Sequence, residues 1–130
     1  DLVNDFPVYA TSDTVERAVI TPDGELGGFV DVGDLSTPRE GPLVTSAGDR
    51  ILILGGGAYV GDDDTQFYSS TNSVEASRAT GTPSFSALDG TLNAARTNGF
   101  LLRTPRGPLV GGGFNFAGEY VSTLELGLFR

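Results

Sequence analysis

The chain repeats itself, and that repeat limits what it can fold into. Residues 35–57, LSTPREGPLVTSAGDRILILGGG, lie over residues 92–113, LNAARTNGFLLRTPRGPLVGGG. Both read as Leu, three residues, Arg, an apolar run, a Gly turn, a second apolar run and a run of glycines. Leu92 follows Leu35 by 57 residues, Arg96 follows Arg39 by 57, and Gly111 follows Gly55 by 56. A match of this order and length sets the size of the folding unit, because a structural repeat buries its apolar face only against its neighbours. A shorter match follows the glycines: NSVEASRA from Asn72 and VSTLELGL from Val121 resemble DTVERAVI from Asp13. It places Glu16, Glu75 and Glu125 after an apolar residue, at spacings of 59 and 50.

Within each unit the apolar clusters are short, rich in Val, Ile, Leu and Phe, and closed within ten residues by Gly, Pro or Asp. That pattern predicts an all-β chain with strands over residues 14–21, 26–32, 42–46, 50–54, 73–79, 84–88, 100–104, 108–111 and 120–129. Turn chemistry separates them at Pro22-Asp23-Gly24, Ala47-Gly48-Asp49, Asp89-Gly90 and Pro105-Arg106-Gly107. The 19 Gly and 7 Pro residues of the 130 favour tight turns over long helices. The longest apolar stretch, residues 51–60, is broken by Gly55, Gly56 and Gly57 and is far shorter than the roughly 20 residues that span a bilayer. No membrane insertion is expected.

A period of about fifty residues with four short strands is that of a propeller blade. On these residues the chain resembles kelch-type repeats, in particular a divergent bacterial form in which a strand like TVERAVI leads into TPDGELGGF, then LSTPR, then a hairpin ending in ILILGGG. The resemblance covers residues 13–130 and is closest over 14–57. Kelch units often carry Gly-His shortly after the Arg. Here Glu40-Gly41-Pro42 follows Arg39 and Thr97-Asn98-Gly99 follows Arg96. The large aromatic of the outer strand is Phe29 in one unit and Phe85 in the next.

The resemblance implies an all-β partial β-propeller of about two and a quarter four-stranded blades. Residues 1–34 would be the outer strands of one blade, 35–90 a complete blade and 91–130 most of a third. A propeller closes with about four to eight blades, so this length leaves the ring incomplete, and the remaining blades would come from a longer chain or from other subunits. Terminal blades left open are expected to expose apolar faces.

The 17 acidic and 8 basic side chains, with no His, give a net charge of −9. Every basic residue is an Arg, scattered singly, which excludes the clustered cations that bind a phosphate backbone. Without Cys or His there are no soft ligands for zinc, copper, haem or iron–sulfur groups and no thiol or imidazole nucleophile. Asp62, Asp63 and Asp64 are the one metal candidate. With Thr65 and loop carbonyls they offer hard oxygen ligands for Ca2+ in the segment from Gly57 to Asn72, read here as a loop. The alternative is a solvated acidic loop, since adjacent side chains seldom all point inward.

Arg39 and Arg96 open corresponding strands, while Glu16, Glu75 and Glu125 occupy corresponding third strands. Their recurrence reads as a structural tie between strands, because bidentate Arg geometry suits a fixed contact; a ligand-binding ring is the other reading. Gly55, Gly56, Gly111 and Gly112 read as structural too, permitting positive φ and close backbone approach. No residue pair is nominated for catalysis. The expectation is therefore a non-catalytic interaction module for a protein or glycan, secreted, periplasmic or at a bacterial cell surface. The alternatives are an accessory subunit of a larger assembly and a propeller fragment of a carbohydrate-active enzyme. A chain opening on Asp1 rather than Met is expected to be processed, trimmed or partial, and a removed signal peptide is one ordinary route to that.

Overall fold

The computed structural model describes residues 10–61 and 65–127. These residues form eleven short β-strands and no helix. Every strand pairing is antiparallel. Each of the nine predicted runs overlaps one strand, because each pairs an apolar stretch with a turn that needs Gly, Asp or Pro.

β1 (Thr14–Arg17) and β2 (Val30–Asp34) make a two-stranded ribbon, with a bulge between Val15 and Glu16. β3 (Leu43–Ala47) and β4 (Arg50–Leu54) form a tight hairpin through Gly48, whose φ is +59°. β7 (Val74–Arg78) pairs with the far edge of β4, and β8 (Ser86–Ala87) follows it, giving a four-stranded sheet in the order β3-β4-β7-β8. β9 (Phe100–Thr104), β10 (Gly107–Gly111) and β11 (Leu124–Leu126) build a three-stranded sheet in which β10 is central.

The segment following Gly57 is not simply a loop. β5 (Gly57–Val60) and β6 (Phe67–Ser70) pair as a separate hairpin between the second and third strands of the four-stranded sheet. Four-residue strands beside an acidic run carry too little alternation to reveal themselves, and their pairing relies on the local Tyr59↔Tyr68 register.

The core lies between the two larger sheets. Leu43, Leu52, Leu54, Val74 and Ala76 of the four-stranded sheet pack with Leu92 and Val110, and Ala47, Leu88 and Leu101 close around them. Fully burying an aliphatic side chain of this size contributes about 1.5–3 kcal/mol. On β4, Leu52, Ile53 and Leu54 are buried in succession, so both faces of the strand are covered. A strand buried on both sides reads as a continuous apolar run rather than an alternation. The aromatics expected in the outer strands lie just ahead of them instead: Phe29, before β2, is exposed and Phe85, before β8, is half-buried.

Candidate functional site

Two buried ion-pair stations repeat almost atom for atom. The first begins at Arg39, just ahead of β3. Its Nη1 donates to the Gly55 carbonyl at 2.7 Å, and its Nη2 donates to Ser73 Oγ at 3.1 Å and to the Glu75 carboxylate. Glu75 Oε2 accepts from the Ser36 backbone N–H at 2.7 Å. The second begins at Arg96, ahead of β9. Its Nη1 donates to the Gly112 carbonyl at 3.0 Å, and its Nη2 donates to Thr123 Oγ1 at 2.8 Å and to the Glu125 carboxylate. Glu125 accepts from the backbone N–H of Asn93 at 2.5 Å and of Ala94 at 3.2 Å.

Glu75 and Arg96 are fully buried. Burying such charges is costly unless each finds its counter-ion and its remaining hydrogen bonds. Here the guanidinium and the carboxylate face one another, and carbonyl, hydroxyl and amide groups occupy most of what is left. Arg96 Nε is the exception, without a partner. The arrangement ties the lead-in of a sheet to its second and third strands; it exposes no reactive atom. Glu16, at the matching position of β1, is exposed, and no Arg among the described residues contacts it.

The stations also fix the glycine register. Gly55 and Gly112 share φ +64°, and Gly56 and Gly113 follow at +96° and +85°. The repeat offset is thus 57 here as well, and Gly111 matches Leu54 within a strand. Gly111 is held for a different reason: a Cβ there would drive into Leu124 and Phe100. The same offset pairs Gly41, φ +55°, with Asn98, φ +52°, the left-handed conformation that Gly and Asn tolerate best. A Cβ on Gly55 would stand 2.6 Å from the Arg96 carbonyl, which accepts the Gly56 N–H at 2.8 Å.

Around the β5–β6 hairpin the surface turns aromatic and polar. Tyr59 and Tyr68 meet edge to face at 5.2 Å. The Tyr68 hydroxyl donates to Thr97 Oγ1 at 3.2 Å, and the buried Thr97 hydroxyl in turn donates to the Glu40 carbonyl at 3.3 Å. Burial raises the Tyr68 phenol above its usual value of 10.0, with the Thr97 hydrogen bond opposing the shift and the Glu40 charge adding to it. Phe116 and Tyr120 stand exposed on the corresponding, shorter connection of the next sheet.

Asp62, Asp63 and Asp64 lie outside the described residues. Among the described residues no group of three His, Cys, Asp or Glu could hold a metal ion. A crevice of about 600 Å³ opens between the two large sheets on Leu52, Leu54, Val74, Leu88, Leu92 and Pro108, with Arg50 the charged residue of its lining. Sequence reasoning missed the hydroxyls. Thr14-Val15-Glu16, Ser73-Val74-Glu75 and Thr123-Leu124-Glu125 each put Ser or Thr two residues before the Glu, on the same face of the strand. That recurrence was visible in the sequence, and Ser73 and Thr123 are the ones that bind Arg.

Fold and site together define an all-β scaffold of repeated antiparallel sheets locked by buried Arg–Glu pairs. A solved structure of similar fold, described as "Structure of YjhT", aligns with a TM-score of 0.72 at 19% identity, over 91% of this chain and 36% of that one. At this identity the likeness establishes a shared fold alone, and the chain spans about a third of that protein's length. No protein-family model and no curated protein matches the sequence.

Proposed function

We propose that the chain is a stretch of a kelch-like β-propeller, non-catalytic, that binds a protein or a glycan through the loops around the β5–β6 hairpin. The observation carrying this reading is the Arg–Glu station built twice. A lock recurring at a fixed interval belongs to a row of like units, each stabilised by its neighbours. In this reading residues 35–90 are one blade, 1–34 the outer part of the blade before and 91–130 most of the blade after. Sharing its fold with about a third of YjhT fits a stretch of a longer array.

Exposed apolar side chains support it too: Val19, Ile20, Leu26, Phe29 and Val30 in and around the β1–β2 ribbon, and Phe100, Leu102, Leu124 and Leu126 on the three-stranded sheet. Contiguous apolar surface of this kind marks an interface. Tyr59, Tyr68, Phe116 and Tyr120 offer aromatic faces beside polar groups, a combination suited to sugar rings or to a protein hot spot. A secreted or surface location fits a chain without Cys or Lys. A second reading, a subunit that completes a larger assembly, is favoured by the edges of β1 and β11 that no strand among the described residues covers.

Denaturing and native mass spectrometry of the natural polypeptide tests both. A polypeptide about three times this length supports one closed propeller. A short polypeptide held in a larger complex supports the assembly. A stable, monodisperse monomer of 13.5 kDa overturns the propeller reading.

A further inference from the structure

Glu16 stands where Glu75 and Glu125 stand in their sheets, yet its surroundings are empty in three respects at once. The first is charge. Glu75 receives Arg39 and Glu125 receives Arg96, whereas no guanidinium or amide among the described residues reaches Glu16. The second is the hydroxyl. Ser73 and Thr123 take the Arg Nη2, and Thr14 fills the same sequence position with no Arg to bind. The third is the strand edge. β7 lies between β4 and β8 and β11 lies against β10, but among the described residues β1 pairs with β2 alone.

In both filled stations the missing parts come from one piece of chain. It is a hairpin led by an Arg, with a Gly 16 residues later whose carbonyl accepts from that Arg: Arg39 with Gly55, and Arg96 with Gly112. β1 is already anchored on its other face. Arg17, the next residue along, donates Nη1 to the Gly81 carbonyl at 3.0 Å, and successive side chains point to opposite faces of a strand. Glu16 is therefore turned away from the four-stranded sheet.

We propose that Thr14, Glu16 and the free edge of β1 form a docking site for an Arg-led β-hairpin of this repeat class. The occupant is a further repeat unit that brings its own Arg, not a second copy of this chain. Arg39 and Arg96 are each held by a Glu, a hydroxyl and a carbonyl of their own station, so a second copy can offer Glu16 a hairpin-leading Arg only by emptying one of its own. The inference deepens the propeller reading and rests on its assignment of β1 and β2 as the outer half of a unit.

The first test adds a synthetic peptide of residues 92–113 to the full chain and follows hydrogen exchange of the β1 amides. Expected is slowed exchange across residues 14–17, lost when Arg96 of the peptide is replaced by Leu or when the chain carries Glu16→Gln. Should the free hairpin be too weakly structured to bind, a covalent version decides. A copy of residues 92–121 placed directly before Asp13 keeps the 29-residue spacing from Arg96 to Glu125. The extended chain should melt about 5 °C or more higher than the natural one. Glu16→Gln should erase most of that gain while leaving the natural chain's midpoint unchanged. If the midpoint does not rise, or rises equally with Glu16→Gln, the docking site is refuted. Protection of β1 without any dependence on Glu16 would refute the Arg site and leave the repeat reading standing; no protection in the extended chain removes both.

Discussion

The four-stranded sheet and the three-stranded sheet carry matching sequences and live in different surroundings. In the first, Leu43, Leu54 and Val74 are at most 9% exposed. Their counterparts in the second are Phe100, Gly111 and Leu124; Phe100 is 45% exposed and Leu124 64%. The opposite face of the second sheet, with Val110 and Leu101, is the one that covers the first. Burial in this protein is therefore set by which neighbours are present more than by the apolar pattern of a strand. The same contrast separates Glu75, fully buried in its station, from the exposed Glu16.

The largest test of that contrast is to remove the carboxylates. Glu75→Ala leaves Arg39 buried without its counter-ion and should cost about 3–5 kcal/mol in urea unfolding. Glu16→Ala should fall within about 0.5 kcal/mol of the parent. Equal costs would break the comparison. Apolar truncation comes next: Leu54→Ala should cost about 2–5 kcal/mol, while Leu124→Ala, already largely in solvent, should cost under about 1 kcal/mol and reduce binding of a hydrophobic dye.

Gly55→Ala sharpens the comparison at the backbone. Its Cβ would meet the Arg96 carbonyl in a left-handed conformation, and a loss of about 1–3 kcal/mol is expected. Gly48→Ala, also left-handed but in open space, should cost less, so the difference between the two measures the close approach of the sheets.

The smallest effect is Tyr68→Phe, which removes one hydrogen bond, about 0.5–1.5 kcal/mol. Because folding raises the phenol's pKa, the neutral ring favours the folded state. That contribution is intact below the unfolded value of about 10 and is lost as pH rises through the folded value. Stability of the parent should thus decline more steeply above pH 10 than that of the variant, with phenolate absorbance as the check.

Much of the fold was legible because each strand of the large sheets couples an apolar run to a turn that only a few residues can make. Arg39, Arg96, Glu75 and Glu125 were legible as a recurrence, and the structure places them in contact. The glycine register was not: three consecutive glycines match at several offsets, and only φ and the carbonyls facing Arg39 and Arg96 choose among them. The β5–β6 hairpin was hidden for another reason. Gly57–Val60 and Phe67–Ser70 are short, and Tyr59 and Tyr68 gain their roles only from each other and from the distant Thr97.

From Gly55 to Ser73 the chain takes 18 residues, and from Gly112 to Thr123 it takes 11, yet the two ends of each span meet one Arg, Arg39 in the first and Arg96 in the second. The anchor points are indifferent to what runs between them. Length and composition can drift there by insertion or deletion while the lock beneath stays in register, so the hairpin end of each unit is where new specificities can evolve and where a foreign peptide could be grafted with least disturbance.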